Sequence, residues 1–318
     1  MENTTRPNTM YDVAILGGGA AGLSAALTLA RARRNVTVID AGHPRNAPAA
    51  GAHGLLGNEG MNPLELLARG RAEVLSYDAD IFHAQVVAAN RHGDDYVVTL
   101  DDDRKLRAQQ LIVTTGVRDV LPDIDGLSAR WGRDVVHCPY CHGWEIRDLA
   151  IGIIATSAMS AHQATLFHQW SQDITLFRNG VEFDDEALET LAAVGIPVID
   201  APVAGLEITD DNITGVRLTD GQTIGVQAVG VSSGLRANLE GLEALGLQTE
   251  TNPQGIFLKA DDTGHTNIPG VWAAGNVINP NLQLSECASQ GARVAITLNN
   301  ELIFADAEAA RAASRQVG

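Results

Sequence analysis

Short apolar runs that end on a glycine or an acid recur along the chain. Tyr11–Leu16 (Y-D-V-A-I-L) reads as a buried parallel strand, because its apolar residues form a run rather than an alternation. It leads straight into Gly17-Gly18-Gly19-Ala20-Ala21-Gly22, then a helical pattern to about Arg33, then a second strand at Asn35–Asp40 (N-V-T-V-I-D). The same order returns at Ile151–Ala155, a helix from about Ala158 to Trp170, and the strand Asp173–Phe177. Between these units, His43–Pro63 is dense in Gly and Pro, as expected of backbone wrapping a ligand or of an ordinary surface loop. Pro63–Tyr77 has the spacing of an amphipathic helix. Asp80–Ala89, Tyr96–Leu100 and Lys105–Ala108 predict strands of a small antiparallel layer, and Leu111–Thr115 predicts a further buried strand leaving through Thr114-Thr115-Gly116. Strand and turn signals follow around Ile196–Ile199, Val203–Thr209 and Gly215–Leu218. Val271-Trp272-Ala273-Ala274 is one more buried strand, ending in Gly275-Asn276. A closing helix is expected over Ser285–Ala305, which the Ala-rich tail either extends or frays. Two strand–helix–strand units in one polypeptide predict an α/β fold with two related lobes.

At 318 residues the protein is long enough for two domains with cores of their own. In the first unit Gly17 permits the tight turn, Gly19 lets a pyrophosphate approach the backbone, and Gly22 lets the helix pack close to the strand. The helix N-terminus then faces the phosphates with its positive end, and Asp40 closes the second strand where a carboxylate binds ribose hydroxyls. With strand, glycines, helix and terminal acid all in place, the first lobe reads as a dinucleotide site. The other chemistry lies at His137-Cys138-Pro139-Tyr140-Cys141-His142-Gly143-Trp144-Glu145. Two cysteines at this spacing suit either thiol–disulfide exchange or half of a zinc site. Cys287 is the only other cysteine, and no second ligand pair follows, so Cys138 and Cys141 read as a redox dithiol and no metal is expected.

Charge and composition narrow the partners. A net charge of −17 without a basic patch argues against nucleic acid and against anionic membranes. No apolar run is long enough to span a bilayer, and Met1–Thr9 lacks the basic-then-apolar order of a signal peptide. Three cysteines fit a reducing compartment, so a cytoplasmic protein is expected.

The order G-G-G-A-A-G, T-T-G, a central C-x-x-C and then P-G-V-W-A-A-G-N resembles the low-molecular-weight thioredoxin reductases over nearly the whole length. That resemblance implies a homodimeric FAD flavoprotein of two Rossmann-like, three-layer ββα domains. The FAD domain would be discontinuous, residues 1–117 and 236–318, around an inserted domain, 118–235, that carries the Cys pair on an NAD(P)-binding fold. By match to the family motifs, Gly17, Gly19, Gly22 and Asp40 would hold the ADP part of FAD, with Thr115 and Gly116 in the same cofactor set. Gly275 and Asn276 would sit at the ribityl group, and Gln283 near the isoalloxazine.

Departures from the family pattern bear on function. Where a nicotinamide site should show G-x-G-x-x-A/G, the second lobe has Ala155-Thr156-Ser157-Ala158-Met159-Ser160. Where a basic cluster should hold the 2′-phosphate, Arg178 stands among Glu182, Asp184, Asp185 and Glu186, which repel a phosphomonoester. Loss of NADPH binding, an unusual NADPH site, or a shift to NADH would each fit; failure of both halves together favours loss. His142 occupies the place of the family's usual Asp after the second Cys. In this the C-P-Y-C-H-G-W-E context is similar to the flavin-dependent dithiol oxidases that close the disulfides of holomycin- and gliotoxin-type natural products, which lack a working NADPH site and pass electrons to oxygen. The resemblance implies a small-molecule dithiol attacking at Cys138, with Cys141 next to the flavin and oxygen leaving as peroxide. His142 would take and return protons near neutral pH, unless it is only a turn residue. The alternatives are a reductase acting on thioredoxin or a small disulfide with NAD(P)H or another donor, and a flavin–dithiol redox sensor. His137, Trp144 and Glu145 are expected to be structural, and Cys287 a small buried apolar group. Relative to the family, Glu286 replaces the usual Thr and Leu282 the usual Arg.

Overall fold

The protein is described by a computed structural model over residues 10–316. It divides into two compact α/β units, one of residues 1–45, 64–118 and 235–318, the other of residues 46–63 and 119–234.

In the first unit the strand Met10–Leu16 lies between Val36–Asp40 and Lys105–Val113, parallel to both, and Asp80–His83 extends the same edge beyond Val36–Asp40. Asp80–Ala89, expected as one strand, is therefore two: Asp80–His83 pairs in parallel, and Val86–His92 pairs antiparallel with Asp95–Leu100. Conversely, Lys105–Ala108 and Leu111–Thr115 are one strand, Lys105–Val113, that changes partner along its length. Its first half is antiparallel to Asp95–Leu100; its last three residues run parallel to Val271–Ala273. Burial follows the partner, alternating over Lys105–Gln109 and complete over Leu111–Val113. Val13, Ile15 and Ile112 face the helices Ala20–Arg31 and Leu284–Gln316, whereas Ala14, Leu16 and Val113 face the antiparallel layer. The unit is thus helix, parallel sheet, antiparallel sheet. The last helix runs unbroken to Gln316, so the Ala-rich tail extends it. It crosses the first helix at Gly291, where a Cβ would lie 2.0 Å from the Ala21 carbonyl oxygen.

The second unit has a five-stranded parallel sheet in the order Val198–Ile199, Ile174–Phe177, Ile151–Ile154, Ala228–Val231, Val135–Val136. Ile151–Ile154 and Ala228–Val231 are buried at every position, as strands covered on both faces must be. Met159–Phe167 packs on one face, and the antiparallel strands Val203–Thr209, Asn212–Leu218 and Thr223–Ile224 contribute Leu206, Ile213 and Val216 to a core on the other. The Gly/Pro-rich segment 46–63 belongs to this unit: Ala52 and Met61 bridge antiparallel, and Gly132 passes so close to Pro48 that an added Cβ would sit 2.8 Å from the Pro48 Cβ.

Candidate active site

The cofactor residues expected in the first unit gather at the carboxyl ends of four neighbouring parallel strands, where open α/β sheets bind their ligands. Gly17 leaves Met10–Leu16 at φ +113, and its Cβ would fall 2.4 Å from the Thr114 carbonyl oxygen. A Cβ on Gly22 would fall 1.9 Å from the Gly17 carbonyl oxygen, so that glycine is needed for the helix to meet the turn. At Gly19 a Cβ would meet nothing within 4 Å, and the helix has no side-chain cap there. The turn therefore presents uncapped backbone to open space, as phosphate approach requires. Asp40 is buried at the end of the next strand; Oδ1 accepts from the Gly42 N–H (2.9 Å) and Oδ2 from Arg71 (3.2 Å). A residue outside the expected set, Thr114, braces the turn by donating to the Leu16 or Gly17 carbonyl. Thr115 Oγ1 is buried with no hydrogen-bond partner, and Gly116 follows at φ +67. Asn238 holds this corner, its side chain donating to Thr115 O and its backbone N–H to Gly116 O. An open glycine turn beside an orphaned hydroxyl fits a bound dinucleotide.

Gly275 and Asn276 end the strand Val271–Ala273. Gly275 N–H donates to Gln290 Oε1 (2.7 Å), and the Asn276 amide donates to the Asn279, Pro280 and Leu282 carbonyls, bracing the loop before the last helix. Gln283 is the residue before that helix, and its N–H donates to Glu286 Oε2 (2.7 Å). Glu286 thus closes the helix N-terminus in the manner of a capping box. Cys287 is buried, and desolvation pushes its thiol up to about 11, with Glu286 adding to the rise.

In the second unit the dithiol turn leaves the carboxyl end of Val135–Val136. Cys138 begins a single helical turn, Pro139–His142, with Pro139 at its first position, where the missing N–H costs nothing. The Cys141 and His142 N–H groups both donate to Cys138 O (3.2 and 3.1 Å), and Gly143 N–H donates to Pro139 O (2.7 Å). Gly143 is required by packing, because a Cβ would sit 2.8 Å from the Trp170 ring. Gln163, from the helix Met159–Phe167, fixes the approach by donating to His137 O (2.7 Å). Tyr140 is 71% exposed and meets Trp170 edge-on; Trp144 is 66% exposed, with Arg147 stacked 4.1 Å above its ring. Two exposed aromatic side chains thus lie on the segment that carries the cysteines.

His142 Nε2 is buried without a hydrogen-bond partner. Burial lowers the pKa of this ring below the ordinary histidine value; nearby Glu145 opposes that shift and His53 reinforces it. His53, which in sequence is one residue of an undivided loop, stands among these groups: its Nδ1 is 2.6 Å from Glu59 Oε1 and its Nε2 is 3.4 Å from Glu145 Oε1.

The second unit's own phosphate turn is differently built from the first. The Thr156 N–H donates to Ser160 Oγ (3.1 Å), Ser160 is buried, and Thr156 Oγ1 donates to Ser232 O (2.8 Å). Two of the turn's backbone donors, the Thr156 and Ser157 N–H, are thus directed at Ser160 Oγ rather than left open to a pyrophosphate. Asp184 caps the helix Asp185–Ala193 by accepting from Ala187 N–H (2.8 Å), with Asp185 and Glu186 in its first turn. Arg178 is paired with Asp200 (3.1 Å). The acids that replace a basic cluster thus start a helix. Among the described residues no group of three or more His, Cys, Asp or Glu is arranged to hold a metal, and no helix is long and apolar enough to cross a membrane.

The family model of the pyridine nucleotide-disulphide oxidoreductases matches residues 11–292. Thioredoxin reductase sirT of Leptosphaeria maculans is 31% identical over 314 residues, 94% of this chain and 96% of that protein. The crystal structure of HlmI is similar with a TM-score of 0.91 at 41% identity, covering 97% of this chain and 98% of its own. The oxidoreductase from Agrobacterium tumefaciens gives a TM-score of 0.87 at 35% identity over 93% of this chain and 99% of its own.

Proposed function

Since the chain belongs to the pyridine nucleotide-disulphide oxidoreductases, as a thioredoxin reductase-like FAD enzyme, we propose that it oxidises a small-molecule dithiol to a disulfide through Cys138 and Cys141, with oxygen as final acceptor. The observation that carries this reading is the phosphate turn of the second unit, whose backbone donor is taken by Ser160 while the dithiol turn beside the same sheet is fully built. Residues 1–117 and 236–318 form the FAD-binding domain in this reading, and 118–235 the redox-dithiol domain, with the segment 46–63 of the former packed into the dithiol unit. The ADP part of FAD is held at Gly17, Gly19, Gly22 and Asp40, with Thr115 and Gly116 beside it; Gly275, Asn276 and Gln283 border the rest.

The exchange chemistry belongs to the protein's own side chains. One substrate thiol gives its proton to His142, and its sulfur attacks Cys138 of the oxidised pair, releasing Cys141 as thiolate. The second substrate thiol then gives its proton to the Cys141 thiolate, attacks the substrate sulfur of that mixed disulfide and expels Cys138 as thiolate. The substrate has lost two electrons and two protons, and the Cys pair has gained the electrons. Bound FAD supplies the two-electron acceptor that re-forms the pair's disulfide, with oxygen drawing the electrons off as peroxide. A homodimer in the cytoplasm belongs to the same reading.

Anaerobic addition of a small dithiol is expected to bleach the oxidised-flavin band, whereas NADPH and NADH leave it unchanged; air then restores the colour with release of peroxide. Fast bleaching by either nucleotide would sink the oxidase and return the protein to the nicotinamide-driven reductases whose name its relatives bear. Because a base works as the neutral imidazole and burial lowers the His142 pKa, the acidic limb of kcat/KM for dithiol is expected on the acid side of the ordinary histidine range. A limb displaced to the alkaline side would remove His142 from that role.

A further inference from the structure

The loop 46–63 adds to the dithiol unit a histidine with two carboxylate partners. Its ends are tied by the Ala52–Met61 bridge, and Gly51 leaves room for the ring, since a Cβ there would approach His53 Nε2 to 3.2 Å. Glu59 is anchored from within the same loop: Oε1 meets His53 Nδ1 at 2.6 Å while Oε2 accepts from Gly54 N–H at 2.9 Å. On the other side of the ring, Nε2 faces Glu145 Oε1 at 3.4 Å. Ionised carboxylates accept only, so Glu59 takes the Nδ1 proton of the ring while Nε2 is left facing the second carboxylate. Glu145 is three residues beyond His142 on the segment that carries the dithiol. The charged and titratable groups around His142 are therefore Glu145, His53 with Glu59 behind it, and the Cys138 and Cys141 thiols of its own turn. Arg147 is turned onto the Trp144 ring and its carbonyl, and the neighbouring Gln163 and Trp170 are neutral.

We propose that His53 is a positioning residue for the dithiol chemistry: held between Glu59 and Glu145, its ring faces the Glu145 carboxylate and so sets the protonation state of His142. The physical requirement behind it is plain. A carboxylate next to a partly buried imidazole works against its burial and biases it toward imidazolium, which cannot accept a proton from an incoming thiol. His53, on the far side of that carboxylate, offsets the bias without adding a competing base to the dithiol turn. The consequence for catalysis rests on His142 being the base; the electrostatic coupling does not.

The two parts separate when His142 is observed directly. In the FAD-loaded protein with ring-labelled histidine, the His142 resonance is identified by its loss in His142→Gln and followed against pH. His53→Gln is expected to move its midpoint to higher pH, and Glu145→Gln to lower pH; the double variant returns toward the wild-type value. Glu59→Gln, at an exposed position, loosens the same ring and is expected to act in the direction of His53→Gln, which keeps the test open should that variant fold poorly. Midpoints that stay put, or that move the same way in His53→Gln and Glu145→Gln, overturn the proposal. The acidic limb of kcat/KM with dithiothreitol is measured on the same variants. Resonances that move as expected while the limb stays fixed uphold the coupling of His53 to His142 but dismiss His142 as the base, and with it the part of His53 in the chemistry.

Discussion

Replacing Cys141 by serine leaves the bound flavin oxidised when a small dithiol is added without air, its bleaching slowed by at least about a thousandfold, the size of loss seen when a covalent nucleophile is removed. A hydroxyl can neither form nor leave a disulfide, and no other thiol stands in, since Cys287 is buried and pushed up to about 11. Cys138→Ser is expected to lose dithiol turnover to the same extent, because exchange needs both sulfurs. Neither change should unfold the site. The turn is held by backbone bonds from Cys141, His142 and Gly143 to Cys138 O and Pro139 O, by Pro139, and by the packing of Gly143 on Trp170. Flavin content and melting temperature are therefore expected at wild-type values, which separates a chemical loss from a structural one. Dithiol-driven bleaching that survives in either variant would take the Cys pair out of the electron path.

Much of this arrangement is legible in the residues alone. Glycines at 17, 19 and 22, an acid ending the next strand and a Cys-x-x-Cys pair each have a local reason that spacing alone conveys. Each feature that spacing does not convey has a physical cause. Ala228–Val231 lies within the second unit's sheet but is four residues long, and Gly230 weakens its strand signal. That glycine is there because a Cβ would meet Ile153 at 2.5 Å, a fact of packing that no local pattern encodes. Gly291 looks like a flaw in a helix until the crossing with Ala21 is seen. The helix Asp185–Ala193 hides behind acids that invite comparison with a phosphate site, when Asp184 accepting from Ala187 makes them a helix start. Lys105–Val113 reads as two strands because its burial pattern changes where its partner changes. His53 gives no signal, for a histidine in a glycine-rich loop acquires meaning only from carboxylates that the fold brings to it, one of them Glu145 from far along the sequence.

The glycine turn of the first unit gives the second large effect, and two of its positions fail for different reasons. Gly22→Ala places a methyl 1.9 Å from the Gly17 carbonyl oxygen. The obstacle is backbone, so no rotamer change relieves it, and the helix Ala20–Arg31 must move away from the strand it packs on. Overpacking of this kind costs on the order of 3 kcal/mol, and displacement of the turn removes the phosphate contacts too. The variant is expected to be purified without yellow colour and to melt well below wild type even when both are compared as apoproteins. Gly19→Ala differs: its φ of −79° suits any residue, and the new methyl meets nothing within 4 Å. Its apoprotein is expected to melt like the wild-type apoprotein, yet to bind FAD at least about tenfold more weakly, about 1.4 kcal/mol, because the methyl occupies the space that the phosphates need. Flavin absorbance per protein and apoprotein melting temperature together distinguish the two. Equal FAD affinity in Gly19→Ala and wild type would mean that the open space over this turn is not where the cofactor lies, and the assignment of the first unit's phosphate site would fall with it.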